Sequence, residues 1–171
     1  KSVKTAESLA YLAGIIDGEG SICFTKSNRP DGVYYTVFLT VKMTDKTVTN
    51  WLQESFGGNI YENAATDVQE ETCSWRVSRR EVLSSVLKGV LPYLKTKKLP
   101  ALITLEFCEK FPVGGVKRTE EALAEMDKYY EFMKVANARG PGSASWRRGS
   151  PRISAPAPGR RCSGGRPTRG Q

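Results

Sequence analysis

The sequence predicts an α+β domain in which helices alternate with antiparallel β-hairpins. Two observations indicate this class. Between residues 5 and 110, apolar residues recur first at helical spacing and then in strict alternation, and the order repeats. With 39% apolar and 26% charged residues, the 171-residue chain also has enough apolar side chains for one ordinary core.

The chain is predicted to begin with a helix and a hairpin. Thr5 is a suitable N-cap for a helix whose apolar stripe ends at the glycine-rich segment 17–20. Alternation of apolar and polar residues starts at Ile22, and a longer alternating run extends from Tyr35 to Met43. The Asn-Arg-Pro-Asp-Gly sequence between these runs is typical of a turn, so the two strands form a hairpin.

The second half repeats this order. Apolar residues over 48–56 lie at helical spacing and stop at Gly57-Gly58, which suits a left-handed C-cap. Strands are expected over 59–63 and 72–77. A capping box of Ser78 and Glu81 then opens a third helix. Extra helices over about 98–110 and 119–136 follow the αββαββα core.

The C-terminal segment has a different composition. After Glu131 there are nine basic residues and no acidic one, whereas residues 1–131 carry 17 basic and 18 acidic residues. From Gly140 onward the chain holds seven of the 16 glycines and five of the nine prolines, so this part cannot form a core of its own. We predict a domain over residues 1–137 and an irregular basic tail over 138–171 laid on a polyanion, the alternative being a disordered extension.

The residue types in the chain limit the kinds of catalytic and metal site that it can form. The chain has no histidine, and its four cysteines lie far apart without a C-x-x-C pair. Zinc sites, disulfide frameworks and histidine-dependent catalysis are therefore not expected. No apolar run reaches the roughly 18 residues of a membrane span, and no secretory signal is recognisable. We expect no membrane partner and an intracellular location, in the cytoplasm or nucleoid of a prokaryote or in an organelle matrix.

The segment LAGIIDGEG, residues 12–20, contains the strongest candidates for functional residues. Small residues recur every fourth position from Ala6 to Gly18, so one helix face can approach another backbone closely. Asp17 and Glu19 lie at the C-terminal end, where the helix dipole disfavours each anion by about 0.3–1 kcal/mol. A hard divalent cation held by carboxylate and carbonyl oxygens would compensate. The alternative is a helix that simply ends in an acidic turn.

This segment, followed directly by a hairpin, resembles the signature of the LAGLIDADG homing endonucleases. Seven of its nine positions match when the aspartate-to-glutamate exchange is counted as conservative, and the αββαββα order is similar to the family's core. One copy is present, so the chain resembles the single-motif subclass that acts as a homodimer. The resemblance implies two motif helices packed at a twofold axis over a near-palindromic double-stranded DNA site. The interface residues expected on this helix are Ala10, Ala13, Gly14 and Asp17.

The resemblance also implies a metal site. It places the metal-binding carboxylate on Glu19 and adds the backbone carbonyl of Gly18. The implied cofactor is Mg²⁺, for which Mn²⁺ or Ca²⁺ can substitute in the site. Asp17 is expected to hold the helix ends in place.

Two further catalytic positions are carried over from the family. Asp45, at the start of the second helix, takes the polar position near the metals and water. Lys97 takes the position of the pocket lysine, with Lys98 as the alternative. Thr49 stands where an arginine is sometimes found, which leaves the pocket less basic.

The polar face of the strands is predicted to read DNA in the major groove, where Arg and Lys contact guanine and Ser or Thr contact several bases. The alternative is an ordinary solvent face, which any half-buried antiparallel sheet has. The predicted DNA-binding residues are Ser21, Cys23, Thr25, Ser27, Thr36, Thr40, Lys42, Tyr61, Ser74 and Arg76, together with Arg147 and Arg148 of the tail.

Three functions are compatible with these features. The first is a Mg²⁺-dependent, site-specific double-strand DNA endonuclease of the intron-homing type, acting as a homodimer on a long pseudo-palindromic site. The second is a nucleic-acid binder that does not cleave, such as an RNA splicing maturase acting on intron RNA. The third is an interaction module that uses the small-faced helix only for dimerisation. Retention of Glu19 and a lysine favours the first, because a pure binder needs neither carboxylates facing the DNA phosphates nor a metal.

Overall fold

The structure, a computed structural model, describes residues 5–63, 71–112 and 119–138. Within these ranges the elements are α1 (Ala6–Glu19), β1 (Gly20–Arg29), β2 (Gly32–Met43), α2 (Lys46–Phe56), β3 (Asn59–Asn63), β4 (Thr72–Val77), α3 (Arg80–Val90), α4 (Lys98–Lys110) and α5 (Glu120–Asn137). The predicted α+β class and the αββαββα core with extra C-terminal helices are confirmed. The basic tail from residue 139 onward, including Arg147 and Arg148, lies outside the described residues.

The four described strands form one antiparallel sheet in the order β1-β2-β4-β3. β1 pairs with β2 along its whole length, whereas β2 and β4 pair only between Leu39↔Val77 and Met43↔Cys73. Gly20 pairs with Val41, so the end of α1 and the start of α2 meet at the same end of the sheet. This register determines which motif residues are close in space.

The core lies between the helices and one face of the sheet. Val37, Leu39, Val41 and Trp75 are at most 1% exposed, as the alternation predicts. Trp75 also donates its indole N–H to the carbonyl of Gly57 at 2.7 Å, so its polar atom is satisfied. The helices cover this face, and the opposite face carries the polar side chains.

The predicted helix caps are confirmed at some helix ends and wrong at another. The Thr5 hydroxyl accepts from the backbone N–H of Ser8 at 3.3 Å, and Gly57 and Gly58 take positive φ values of 76° and 93° after α2. The capping-box prediction is wrong, because α3 begins at Arg80 and its N-cap, Arg79, makes no side-chain cap bond.

Arg80, the first residue of α3, contacts the C-terminal end of α4. The Arg80 guanidinium donates to the carbonyl of Phe111 and lies 5.0 Å from the centre of the Phe107 ring. These contacts are distant in sequence, so a local capping rule does not detect them. The helix starts two residues beyond the predicted cap, Ser78.

Helix α5 packs beside β1 at the edge of the sheet. Asp127 accepts from the Lys26 ammonium at 2.7 Å and from the Tyr35 hydroxyl at 2.8 Å. Near the end of α5, the Asn137 amide donates to the carbonyl of Ile22 at 3.0 Å. None of the helices described here is long and apolar enough to cross a membrane.

Candidate active site and nucleic-acid interface

Glu19 is the last residue of α1 and its side chain is exposed. The next residue, Gly20, must lack a side chain, because a Cβ atom there would lie 2.7 Å from both the Cα and the carbonyl oxygen of Ile16. At Gly18, in contrast, a Cβ would meet nothing within 4 Å. The motif therefore holds Glu19 on a closely packed turn with open space beside it.

Asp17 ties α1 to the segment that precedes α4. Its carboxylate accepts from the backbone N–H groups of Lys95, Thr96 and Lys97 at 2.8, 3.1 and 3.0 Å, and from the Thr96 hydroxyl at 2.9 Å. Burial acts to raise the pKa of Asp17, but these hydrogen bonds outweigh it and hold the pKa below its ordinary value. The ionised carboxylate thus positions residues 95–97 against the motif.

Lys97 lies at the C-terminal end of the motif helix. Its ammonium donates to the carbonyls of Ile16 at 2.7 Å and Asp17 at 3.1 Å. These carbonyls belong to the last turn of α1, where the helix dipole is negative, so the ammonium offsets that dipole. Lys98, the alternative pocket lysine, is exposed on the first turn of α4, and the structure brings Lys97 to the motif.

Asp45 is the N-cap of α2. It accepts from the backbone N–H of Thr47 at 2.7 Å, and this bond lowers the pKa of its exposed carboxyl group. Because Gly20 pairs with Val41, Asp45 emerges at the same end of the sheet as Glu19. Thr49 is fully buried and donates to the carbonyl of Lys46, so this position contributes no charge to the site.

The small residues of α1 form an exposed face within the protomer. Ala6, Ala10, Gly14 and Gly18 are all exposed, and a Cβ at Gly14 would meet nothing within 4 Å. Ala13, expected at the dimer interface, is only 1% exposed. Its side chain packs into the protomer core, so it offers no surface to a second chain.

The polar strand face contains all ten predicted sheet residues. Ser21, Thr40 and Arg76 form one row across the sheet, and Lys42, Ser74 and Tyr61 form the next. Burial raises the pKa of the Cys23 thiol on this face, although nearby Arg76 opposes the shift. The prediction missed further side chains of this face, although the two-residue period would have found them: Arg29, Tyr34, Phe38, Asn59 and Thr72.

The described residues of one protomer offer few ligands for a divalent metal ion. Among the described residues, no group of three or more Cys, Asp or Glu side chains is arranged to hold a metal ion. Glu19 and the Gly18 carbonyl are hard oxygen donors of the kind that Mg²⁺ prefers, and Mg²⁺ commonly combines one or two carboxylates with substrate phosphates and waters. The donors fit Mg²⁺ chemically, and waters, DNA phosphates or a second copy would complete its coordination.

Comparison with known proteins identifies relatives of this chain. The model of the LAGLIDADG endonuclease family matches residues 12–108. DNA endonuclease I-CreI of Chlamydomonas reinhardtii is 30% identical over 132 residues, which is 77% of this chain and 79% of that protein. The intron-encoded RNA maturase bI4 of Saccharomyces cerevisiae is 25% identical over 88 residues, which is 52% of this chain but 12% of that protein.

Solved structures share the fold. The homing endonuclease I-CvuI, in complex with the I-CreI target, has a TM-score of 0.67 and 21% identity, covering 79% of this chain and 85% of that one. The archaeal intron-encoded homing endonuclease I-Vdi141I, complexed with DNA, has a TM-score of 0.67 and 20% identity, covering 78% and 86%. By the match over residues 12–108 and the identity with I-CreI, this chain belongs to the LAGLIDADG endonuclease family.

Proposed function

We propose that this chain is a site-specific double-strand DNA endonuclease of the intron-homing type. The observation that carries the proposal is the position of Glu19. It is exposed at the end of the motif helix, and the Lys97 ammonium contacts the last turn of the same helix. The polar strand face begins at the following residues. A carboxylate, an ammonium and a base-reading surface at one end of a sheet suit phosphodiester hydrolysis at a chosen sequence.

The active unit is proposed to be a homodimer. The small face of α1 is exposed in one protomer, and small residues allow two helices to approach closely. A twofold axis along this face would bring two copies of Glu19 together and supply the oxygen ligands that one protomer lacks. The same symmetry requires a pseudo-palindromic DNA site.

The described residues take distinct roles in this proposal. When bound, Mg²⁺ supplies a Lewis acid for the scissile phosphate; Mn²⁺ or Ca²⁺ would fit the same oxygen donors. Glu19 and the carbonyl of Gly18 would hold the ion. The Lys97 ammonium would stabilise negative charge on the phosphate in the transition state, and the Asp45 carboxylate would orient a water molecule.

A cleavage assay tests this function. Incubation with a duplex DNA library and Mg²⁺, followed by sequencing of the cut ends, should give paired cuts within one long pseudo-palindromic site. Selective DNA binding without cuts under these conditions would indicate a nucleic-acid binder. The maturase alternative predicts that the protein promotes splicing of an intron RNA, and the match to bI4 makes that assay the appropriate second test.

Lys97→Ala is expected to slow cleavage about 10²- to 10³-fold, the loss that follows removal of one group that stabilises transition-state charge. Affinity for uncut DNA should change little, because the ammonium contacts the carbonyls of Ile16 and Asp17 inside the protein. Single-turnover rates in Mg²⁺ and Kd values in Ca²⁺ separate the two effects.

Lys98→Ala is the matched control for this prediction. It removes the same charge from the adjacent, exposed position and should leave the single-turnover rate within a few-fold of the original. Equal losses of rate in the two variants would contradict a specific role for Lys97. A loss of affinity alone would make Lys97 a phosphate contact.

Removal of residues 139–171 is expected to weaken DNA binding across all sequences alike. The deletion removes eight arginines and no acidic residue, and α5 ends before it at Asn137. Each lost phosphate contact should lower the slope of log K against log salt by about 0.9. Discrimination between sites should persist because bases are read elsewhere. Affinity and slope equal to those of the full chain would show that the tail does not bind DNA.

A further inference from the structure

Two arginines on the polar strand face each lie over an aromatic ring of β2. The guanidinium carbon of Arg76 is 3.4 Å from the centre of the Phe38 ring, and that of Arg29 is 4.7 Å from the centre of the Tyr34 ring. Both contacts are cation–π interactions, which favour a guanidinium held against the ring face. The two stacks therefore fix two long side chains on the surface proposed to face DNA.

The strand register explains why both stacks form. Arg76 pairs with Thr40, two positions from Phe38, and Arg29 pairs with Gly32, two positions from Tyr34. Such diagonal neighbours on one face are within reach of long and aromatic side chains. The Tyr34 hydroxyl donates to the Asp31 carboxylate, which fixes the orientation of the outer ring.

Among the described residues, Arg76 forms no ion pair. The ion pairs in the described ranges involve Lys26, Lys46, Lys110 and Lys134, and neither stacked arginine takes part in one. The Nε atom of Arg76 is buried and has no hydrogen-bond partner among the described residues. Because Nε is covered by protein, only the terminal N–H groups of this half-buried side chain can donate to an acceptor from outside the protomer.

Guanine presents such an acceptor in the major groove. Its O6 and N7 atoms match the planar fork of an arginine, and this is the commonest specific contact between proteins and DNA bases. A ring beneath the guanidinium restricts the side chain before binding, so less conformational entropy is lost when the base is read.

The distance between the Phe38 and Tyr34 rings predicts how far apart the two bases contacted by the stacked arginines would lie. Phe38 and Tyr34 are four residues apart on β2, about 13 Å at roughly 3.3 Å per residue. B-DNA rises about 3.4 Å per base pair, so this distance corresponds to about four steps. Arg76 is in the row of Ser21, close to Glu19, whereas Arg29 is at the far end of β1.

We propose, resting on the DNA-endonuclease function above, that each half-site carries a G·C pair read by Arg76 and a second G·C pair about four base pairs farther from the cleavage site, read by Arg29. Phe38 and Tyr34 are positioning residues that hold the two guanidinium groups. The remaining polar side chains of the face contribute to the other base positions.

Selection of sequences from a randomised duplex DNA library in the presence of Ca²⁺ tests this proposal on the full chain. Two guanine-enriched positions about four base pairs apart are expected in each half-site. Arg76→Gln should move the inner preference from guanine to adenine, because glutamine pairs with adenine, and should weaken binding of the original site about 10- to 100-fold. Arg29→Gln should do the same at the outer position only. Lys88→Gln removes an equal charge from α3 and should change neither position.

Phe38→Leu tests whether the Phe38 ring positions the Arg76 guanidinium in a protein that is still folded. It keeps an apolar side chain but removes the ring, so the inner guanine preference should weaken while the outer one is retained. The retained outer preference shows in the same experiment that the variant is folded.

Two results would overturn the proposal while the wild-type protein still selects DNA. One is an unchanged guanine preference in both glutamine variants. The other is an equal loss of affinity for every sequence, which would make the arginines phosphate contacts. A wild-type protein that selects no duplex sequence would instead overturn the proposed function itself.

Discussion

Glu19→Gln should abolish DNA cleavage and leave DNA binding intact. The substitution removes the charged ligand that the proposed metal site depends on and keeps the size and hydrogen-bonding shape of the side chain. Lewis-acid stabilisation by a metal contributes several kcal/mol to such a reaction, so the rate should fall by about a thousandfold or more. The exposed position of Glu19 means that the protomer core is not disturbed.

The measurement combines single-turnover cleavage of the target duplex in Mg²⁺ with the Kd for the same duplex in Ca²⁺. Glu54→Gln, at an exposed position of α2, is the matched control and should cut at the original rate. A Glu19→Gln protein that also cuts at that rate would rule out Glu19 as the metal ligand. A protein that loses cleavage and binding together would assign Glu19 a role in folding or docking.

The secondary structure of the core was predictable because its signals are local. The two-residue period of β3 and β4 predicts bounds of 59–63 and 72–77, which are those observed. The start of α3 was not predictable in this way. There the local signal predicts a cap at Ser78, but α3 begins at Arg80, whose guanidinium donates to the carbonyl of Phe111 after α4.

The residues of the candidate site also differ in whether a local sequence signal predicts them. Glu19 could be named as the candidate metal ligand because it belongs to a motif that is continuous in the sequence. The contact of Lys97 with the carbonyl of Ile16 joins residues 81 positions apart and was not predicted; the family resemblance indicated only that Lys97 belongs to the pocket. The stack of Arg76 on Phe38 depends on the register between two strands, which residue spacing alone does not give.

Gly14→Leu should convert the proposed dimer into a folded monomer that does not make double-strand breaks. Within one protomer, a Cβ at Gly14 meets nothing within 4 Å, so the larger side chain has space. Replacing a helical glycine should also favour α1, since glycine costs about 0.8–1 kcal/mol relative to alanine. The protomer is therefore expected to stay folded, although loss of the dimer would itself lower the unfolding temperature. In the dimer, two leucines would meet at the axis and force the motif helices apart, each overpacking by about 1–3 kcal/mol.

Sedimentation analysis, thermal unfolding and cleavage of the target duplex together test this expectation. Gly14→Ala adds a single methyl group at the same position, so it should weaken the dimer less and retain part of the activity. Separation of the helices would also separate the two copies of Glu19, which is why cleavage should be lost together with the dimer. An intact and active Gly14→Leu dimer would show that the small face of α1 is not the interface. A Gly14→Leu protein that is unfolded under the assay conditions would show that Gly14 is needed by the protomer itself.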